Sequence, residues 1–186
     1  MTRVVGIAAP GARLAAGFEQ PFEMLQACHE RVERMLALLQ RLRDHVRAQG
    51  ADEQARQAAR DVMRYFDTAA PKHHEDEELH VFPPLIASND EAIAQVVAQL
   101  QQDHLQMEKR WQAARVLLVD LAEGRRAVFD AADETVLEAF AGLYAGHITA
   151  EESIAYPRAA TLIEGERLQV MSRDMMARRG LVDPSR

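Results

Sequence analysis

Four histidines, His29, His74, His104 and His147, are spaced so that folding the chain at its own turn signals brings them to one level. The midpoint between His29 and His74 falls in Gly50-Ala51-Asp52. The next lies at Ser88-Asn89-Asp90, and the last, between His104 and His147, beside Gly124. Two of these histidines carry a glutamate four residues on, His74 with Glu78 and His147 with Glu151. On a helix such a pair shares a face, one turn apart. Imidazole and carboxylate together suit Fe, Mn or Zn, whereas an all-oxygen set suits Mg or Ca. Burying the two carboxylates without a cation is costly, so the layer reads as a site for two metals. Two bridging glutamates and two histidines per ion, with a bridging oxo or hydroxo, leave one open position on each. That arrangement fits the chemistry of O2, NO or peroxide.

The elements that position these residues are helical. From Pro21, apolar residues recur at helical spacing in four long blocks. The first runs from about 21 to 48 and stops at Gly50. The second runs from near Asp52 to Pro83-Pro84. The third spans about Asp90 to Glu123 and ends at Gly124. The fourth starts at Asp130 to Asp133 and fades after Ile163 and Gly165. Residues 1–20, rich in Gly, Ala and Pro, read as an N-terminal arm, and 166–186 as a tail with a short helix over 166–178. No segment alternates as a strand. The expected fold is all-α, an antiparallel up-down-up-down four-helix bundle over 21–165. Pro71 predicts a kink just before the His-rich stretch.

A helical wheel then tests which side chains face inward. Ile93, Val97, Leu100, Met107, Trp111 and Leu118 fall within about 60° of His104. His147 sits among Val136, Phe140, Leu143, Tyr144 and Ile154, and His29 among Phe22, Leu25, Val32 and Leu36. On the second helix Met63, Ala70, Val81 and Leu85 lie within about 40° of His74 and leave His73 about 100° away. The wheel therefore favours His74 with Glu78, leaving His73 as a supporting donor or a solvent-facing residue. It also favours Glu151, about 40° from His147, over Glu152, about 140° away. His45 and His80 read as peripheral. Tyr65, Tyr144, Tyr156 and Trp111 read as core packing, with Tyr144 alone placed to donate a hydrogen bond into the site.

Composition limits the function classes. The chain has 186 residues, enough for one domain with a full core, with 48% hydrophobic and 5% aromatic residues. A formal net charge of -7 argues against nucleic acid, whose phosphates need a basic face. No apolar run approaches a membrane span, and Gly6, Pro10 and Gly11 break up any secretory signal. The single cysteine, Cys28, permits no internal disulfide and reads as a small buried hydrophobe. The expected setting is cytoplasmic, with a protein partner or a homodimer left open.

Ala27-Cys28-His29-Glu30, His73-His74-Glu75-Asp76-Glu77-Glu78 leading to Phe82-Pro83, Asp103-His104, and His147-Ile148-Thr149-Ala150-Glu151-Glu152 leading to Tyr156-Pro157 carry a resemblance. Over roughly 22–160 the chain resembles haemerythrin-like proteins of the HHE cation-binding type. That resemblance implies a non-haem centre of two Fe ions, with Zn or Mn as substitutes. It also implies His29, His74, His104 and His147 as terminal ligands, with Glu78 and Glu151 bridging. Glu108 stands where oxygen carriers of the family have a further histidine, which suggests a more open four-histidine, two-glutamate centre. Glu108 and Glu75 are alternative additional ligands. The functions implied are binding, sensing or reaction of O2, NO or peroxide. The alternatives are assistance to iron–sulfur cluster repair under stress, or iron handling and storage.

Overall fold

Each turn read from the sequence contains a residue in the left-handed region: Gly50 (φ 76°), Asn89 (φ 56°) and Gly124 (φ 77°). Glycine and asparagine reach that conformation most easily, and so they end helices. The helices begin on side-chain caps. Asp52 accepts from the Ala55 amide at 2.8 Å, and Asp90 from the Ile93 amide at 3.3 Å. Asp130 and Asp133 form a reciprocal capping box. The computed structural model describes residues 20–181, and all but the last residue of the expected N-terminal arm over 1–20 lies outside them.

Among the described residues every regular element is helical. Helix α1 spans Pro21–Gln49 and α2 spans Glu53–Asp76. A π-helical segment, Glu77–Val81, follows α2 and leads into the short α3, Phe82–Ile86. Helix α4 spans Glu91–Ala122. The fourth block is divided into α5 (Ala131–Ala141), α6 (Tyr144–Ala150), a second π-helical segment (Glu151–Ala155) and α7 (Tyr156–Ala160). Helix α8, Glu166–Arg178, follows. Helix α1 packs on α2, α2 on α4, and α4 on α5.

Two expectations need correction here. Helix α2 runs unbroken through Pro71, and the departure from α geometry comes later, at Glu77–Val81. There Phe82 N–H bonds Glu77 O, an i→i+5 bond, just before Pro83. Proline offers no N–H to the preceding turn and its ring crowds that turn. The fourth block is likewise interrupted by Gly142 and Leu143 and by the second π segment, where Tyr156 N–H bonds Glu151 O ahead of Pro157.

The core forms two apolar clusters. One contains Val32, Leu39, Phe66, Met107, Leu118, Phe140 and Tyr144. The other contains Leu25, Val81, Phe82, Val97, Leu100, Tyr156 and Met175. Along every long helix the histidines fall where one cluster gives way to the other, so a polar layer separates them. Phe140 anchors the first cluster, with ring centroids 5.0 Å from Phe66, 5.1 Å from Trp111 and 5.5 Å from Tyr144. Phe140→Ala should cost about 3–5 kcal/mol of unfolding free energy. Urea denaturation of both proteins measures that difference.

Candidate metal centre

Seven side chains converge in the polar layer as two donor groups. His74, His104 and His147 form one, and His29, His73, Glu77 and Glu151 form the other; within each group the ligand atoms lie within 4.8 Å of one another. Helix α1 supplies His29, α2 supplies His73 and His74, α4 supplies His104 and α6 supplies His147. Each glutamate is the first residue of a π segment. π turns recur at functional sites, where the extra residue re-aims a side chain.

The two glutamates reach both groups. Glu151 Oε2 lies 3.0 Å from His29 Nε2, while its Oε1 lies 3.0 Å from His147 Nε2 and 3.8 Å from His104 Nε2. Glu77 Oε1 lies 3.3 Å from His73 Nε2, and its Oε2 lies 3.5 Å from His104 Nε2. Both glutamates are fully buried. His104 Nε2 and His147 Nε2 are 3.2 Å apart. Donors bound about 2.0–2.2 Å from one ion sit roughly 3.0–3.5 Å apart in octahedral or tetrahedral arrangements. Most of these separations fall in that range. Glu77 Oε2 and both Glu151 oxygens are buried without a hydrogen-bond partner, although imidazole nitrogens lie close by. Their lone pairs are close to nitrogens without hydrogen-bond alignment, as expected of donors built to share a cation.

A ring of carboxylates orients the imidazoles from behind. His29 Nδ1 meets Glu152 Oε1 at 2.8 Å, His104 Nδ1 meets Glu78 Oε1 at 3.0 Å, and His147 Nδ1 meets Asp103 Oδ2 at 3.4 Å. Such contacts select the tautomer that presents Nε2 to a metal and raise its basicity. Asp76, next to Glu77, is fully buried; Arg178 Nε lies 2.6 Å from its Oδ1 and Arg179 lies 2.7 Å from its Oδ2. The end of α8 thus braces the site.

The structure redistributes the residues read from sequence. It brings together His29, His74, His104, His147 and Glu151, and adds His73 and Glu77. Glu78 does not enter either donor group. Its side chain is 34% exposed and binds His104 Nδ1 and Gln101. The cause is the π segment. Ala55, Ala59, Val62 and Phe66 are all buried and lie within about 40° of His73. The π turn then displaces the buried stripe by about one residue. Val81 ends the segment and Leu85 lies beyond it, so a uniform wheel through them points to His74 and Glu78. A signal for Glu77 was nevertheless in the chain: His73, Glu77, Glu78, Phe82 and Pro83 recur at one constant offset as His147, Glu151, Glu152, Tyr156 and Pro157.

Further readings are also resolved. The tandem histidines both face the layer, so five imidazoles are present rather than four. Glu75 and Glu108 line a cleft beside the site and join neither donor group. His45 pairs with Asp52 at 3.0 Å and His80 with Asp174 at 3.3 Å, both away from the centre. Cys28 is buried in the second apolar cluster, and burial raises its thiol pKa. Tyr156 is more than packing, since its hydroxyl donates to Glu77 Oε1 and lies 3.2 Å from His29 Nε2.

Electrostatics point to a cation as well. Burial depresses His73 and His74 well below the usual imidazole range, and the neighbouring imidazoles add to this. Burial, reinforced by Glu151, pushes Glu77 up to about 7. Burial also opposes the charged forms of Glu151 and His104. Three imidazoles nevertheless hold Glu151 low, while Glu151 and Glu77 push His104 up to about 10. An ion held by His104 would therefore have to displace that imidazole's proton at neutral pH. Its raised pKa implies that binding tightens as pH rises from 7 toward 10, by about tenfold per unit for each proton displaced. Competition against a chromophoric chelator across that range measures the slope, and a flat profile contradicts it.

The cleft, about 680 Å³, reaches the layer at His74 and His104. Phe66, Met107, Trp111 and Tyr144 form its apolar wall, with Glu75, Glu78 and Glu108 among its polar residues.

This geometry has a counterpart among known proteins. The model of the Hemerythrin HHE cation binding domain matches residues 20–159, and the chain belongs to that family. An uncharacterized protein of Haemophilus influenzae is 30% identical over 164 residues, covering 88% of this chain and 92% of the relative. Membership makes this a metal-binding protein, in agreement with the two donor groups. No described helix is long and apolar enough to cross a membrane.

Proposed function

We propose that the chain is a non-haem di-iron protein that binds, senses or reacts with O2, NO or peroxide. The observation carrying this reading is that two donor groups share Glu77 and Glu151, one oxygen of each glutamate facing each group. In this reading His74, His104 and His147 hold one ion, His29 and His73 hold the other, and the two glutamates bridge them. The four ligand-bearing stretches form an antiparallel up-down-up-down four-helix bundle. Iron held there supplies reversible one- and two-electron chemistry toward small oxidants. Mixed imidazole and carboxylate donors favour iron, manganese or zinc over magnesium or calcium.

The protein contributes access and exclusion. The cleft gives a small neutral molecule a route to the His74 and His104 side. Burial of His29, Glu77 and Glu151 keeps bulk water from the opposite side. The lone buried thiol and the acidic net charge support a cytoplasmic setting without nucleic acid. Anaerobic reduction followed by separate exposure to O2, NO and peroxide tests the reading through the visible spectrum. A spectral change with at least one of these supports it, and reversal on removing O2 marks carriage or sensing. An iron-loaded protein whose spectrum responds to none of them overturns it in favour of iron handling.

A further inference from the structure

The two halves of the centre correspond closely, and two differences stand out among the side chains facing the donor groups. His29 and His73 on one side correspond to His104 and His147 on the other, and the two glutamates are shared. Glu152 supports His29 as Glu78 supports His104. Phe82 stacks near His104, with centroids 5.7 Å apart, as Tyr156 stacks near His29 at 5.5 Å. The first difference is His74, whose counterpart by position is Ile148. It gives one side a third imidazole. The second is the hydroxyl of Tyr156, which Phe82 lacks, and it lies on the side without the third imidazole.

We propose that the Tyr156 phenol oxygen is the third terminal metal donor on the His29 and His73 side, a position that relies on the di-iron reading above. Its oxygen lies 3.2 Å from His29 Nε2 and hydrogen-bonds Glu77 Oε1, so it adjoins two donors of that group. The 3.2 Å separation is that of neighbouring donors on one ion. Nearly coplanar stacking on His29, with 8° between the rings, fixes the phenol in place. Tyr156 is buried, and no water has to be displaced from a solvated hydroxyl. When a ferric ion binds, the O–H bond breaks, an oxygen–metal bond forms and the proton leaves to solvent; no electron is transferred. Each ion then has three terminal donors and two shared carboxylates. Open access remains on the His74 and His104 side, where the cleft arrives.

Resonance Raman and visible spectroscopy of the diferric protein, with iron counted on the same samples, provide the test. A tyrosinate-to-iron(III) charge-transfer band with enhanced tyrosine ring modes is expected. It should vanish in Tyr156→Phe and persist in Tyr65→Phe, whose hydroxyl instead bonds the Cys28 carbonyl. About two irons per chain without the band, or a band that survives Tyr156→Phe, overturns the assignment and leaves the di-iron reading standing. Fewer than one iron per chain in the parent protein overturns both. If Tyr156→Phe fails to fold, ring-deuterated tyrosine labelling of the parent, Tyr65→Phe and Tyr144→Phe decides the matter: with three tyrosines in the chain, label-shifted modes that persist in both variants assign the ligand to Tyr156, and their loss in either one overturns the assignment.

Discussion

Glu151→Gln should lower metal content from two ions per chain to one or fewer, with the fold retained. Glu151 approaches His29 through one oxygen and His147 and His104 through the other. Among the described residues no other carboxylate reaches as many of the donor imidazoles at such short range. The amide keeps the volume but removes the negative charge and replaces one acceptor oxygen by a donor NH2 group. That group would face an imidazole nitrogen that should itself coordinate. Burial aggravates the loss, because Glu151 is closed off from bulk solvent. Elemental analysis of protein loaded under matched conditions measures the effect, with circular dichroism confirming that the helices persist. Full two-ion loading of the variant would contradict a bridging role.

A second expected result separates two neighbouring glutamates. Glu77→Gln should reduce loading to one ion or fewer, whereas Glu78→Gln should keep two sites and weaken affinity about 10- to 100-fold. Glu77 lies inside the layer, facing His73 with one oxygen and His104 with the other. Glu78 stands behind His104 and holds its Nδ1, with Gln101 completing its contacts. Removing it lets the imidazole rotate and change tautomer but deletes no ligand. Isothermal titration of the metal-free variants reads both number and affinity. The reverse pattern, with Glu78 essential and Glu77 dispensable, would return the assignment to the one a uniform helical wheel favours.

That contrast marks where sequence reasoning worked and where it failed. The helical class, the turns at Gly50, Asn89 and Gly124, and the inward His29, His104, His147 and Glu151 all follow from periodicity and turn chemistry. They sit where α-helical phase is uninterrupted or restarts close by. His73 and Glu77 were missed because helical phase is not conserved through a π segment. The stripe before the segment selects His73, while the stripe beyond it, read at 100° per residue, selects His74. Both prove to face the layer, so five imidazoles face it rather than four. Pro83 and Pro157, at matching positions behind the two glutamates, were visible cues to where the phase slips. Gly142 hid a break for a different reason, since a single glycine is tolerated inside many helices. Tyr156 could not be separated from core packing by spacing, because its ring does pack in the core. Only the position of its hydroxyl sets it apart.

The most direct measurement is anomalous diffraction at the iron edge from crystals of the loaded protein. Two peaks are predicted, one beside His74, His104 and His147 and one beside His29 and His73, with Glu77 and Glu151 in contact with both. A single peak, or two peaks bridged by Glu78 with Glu77 turned away, would contradict the shared-glutamate centre.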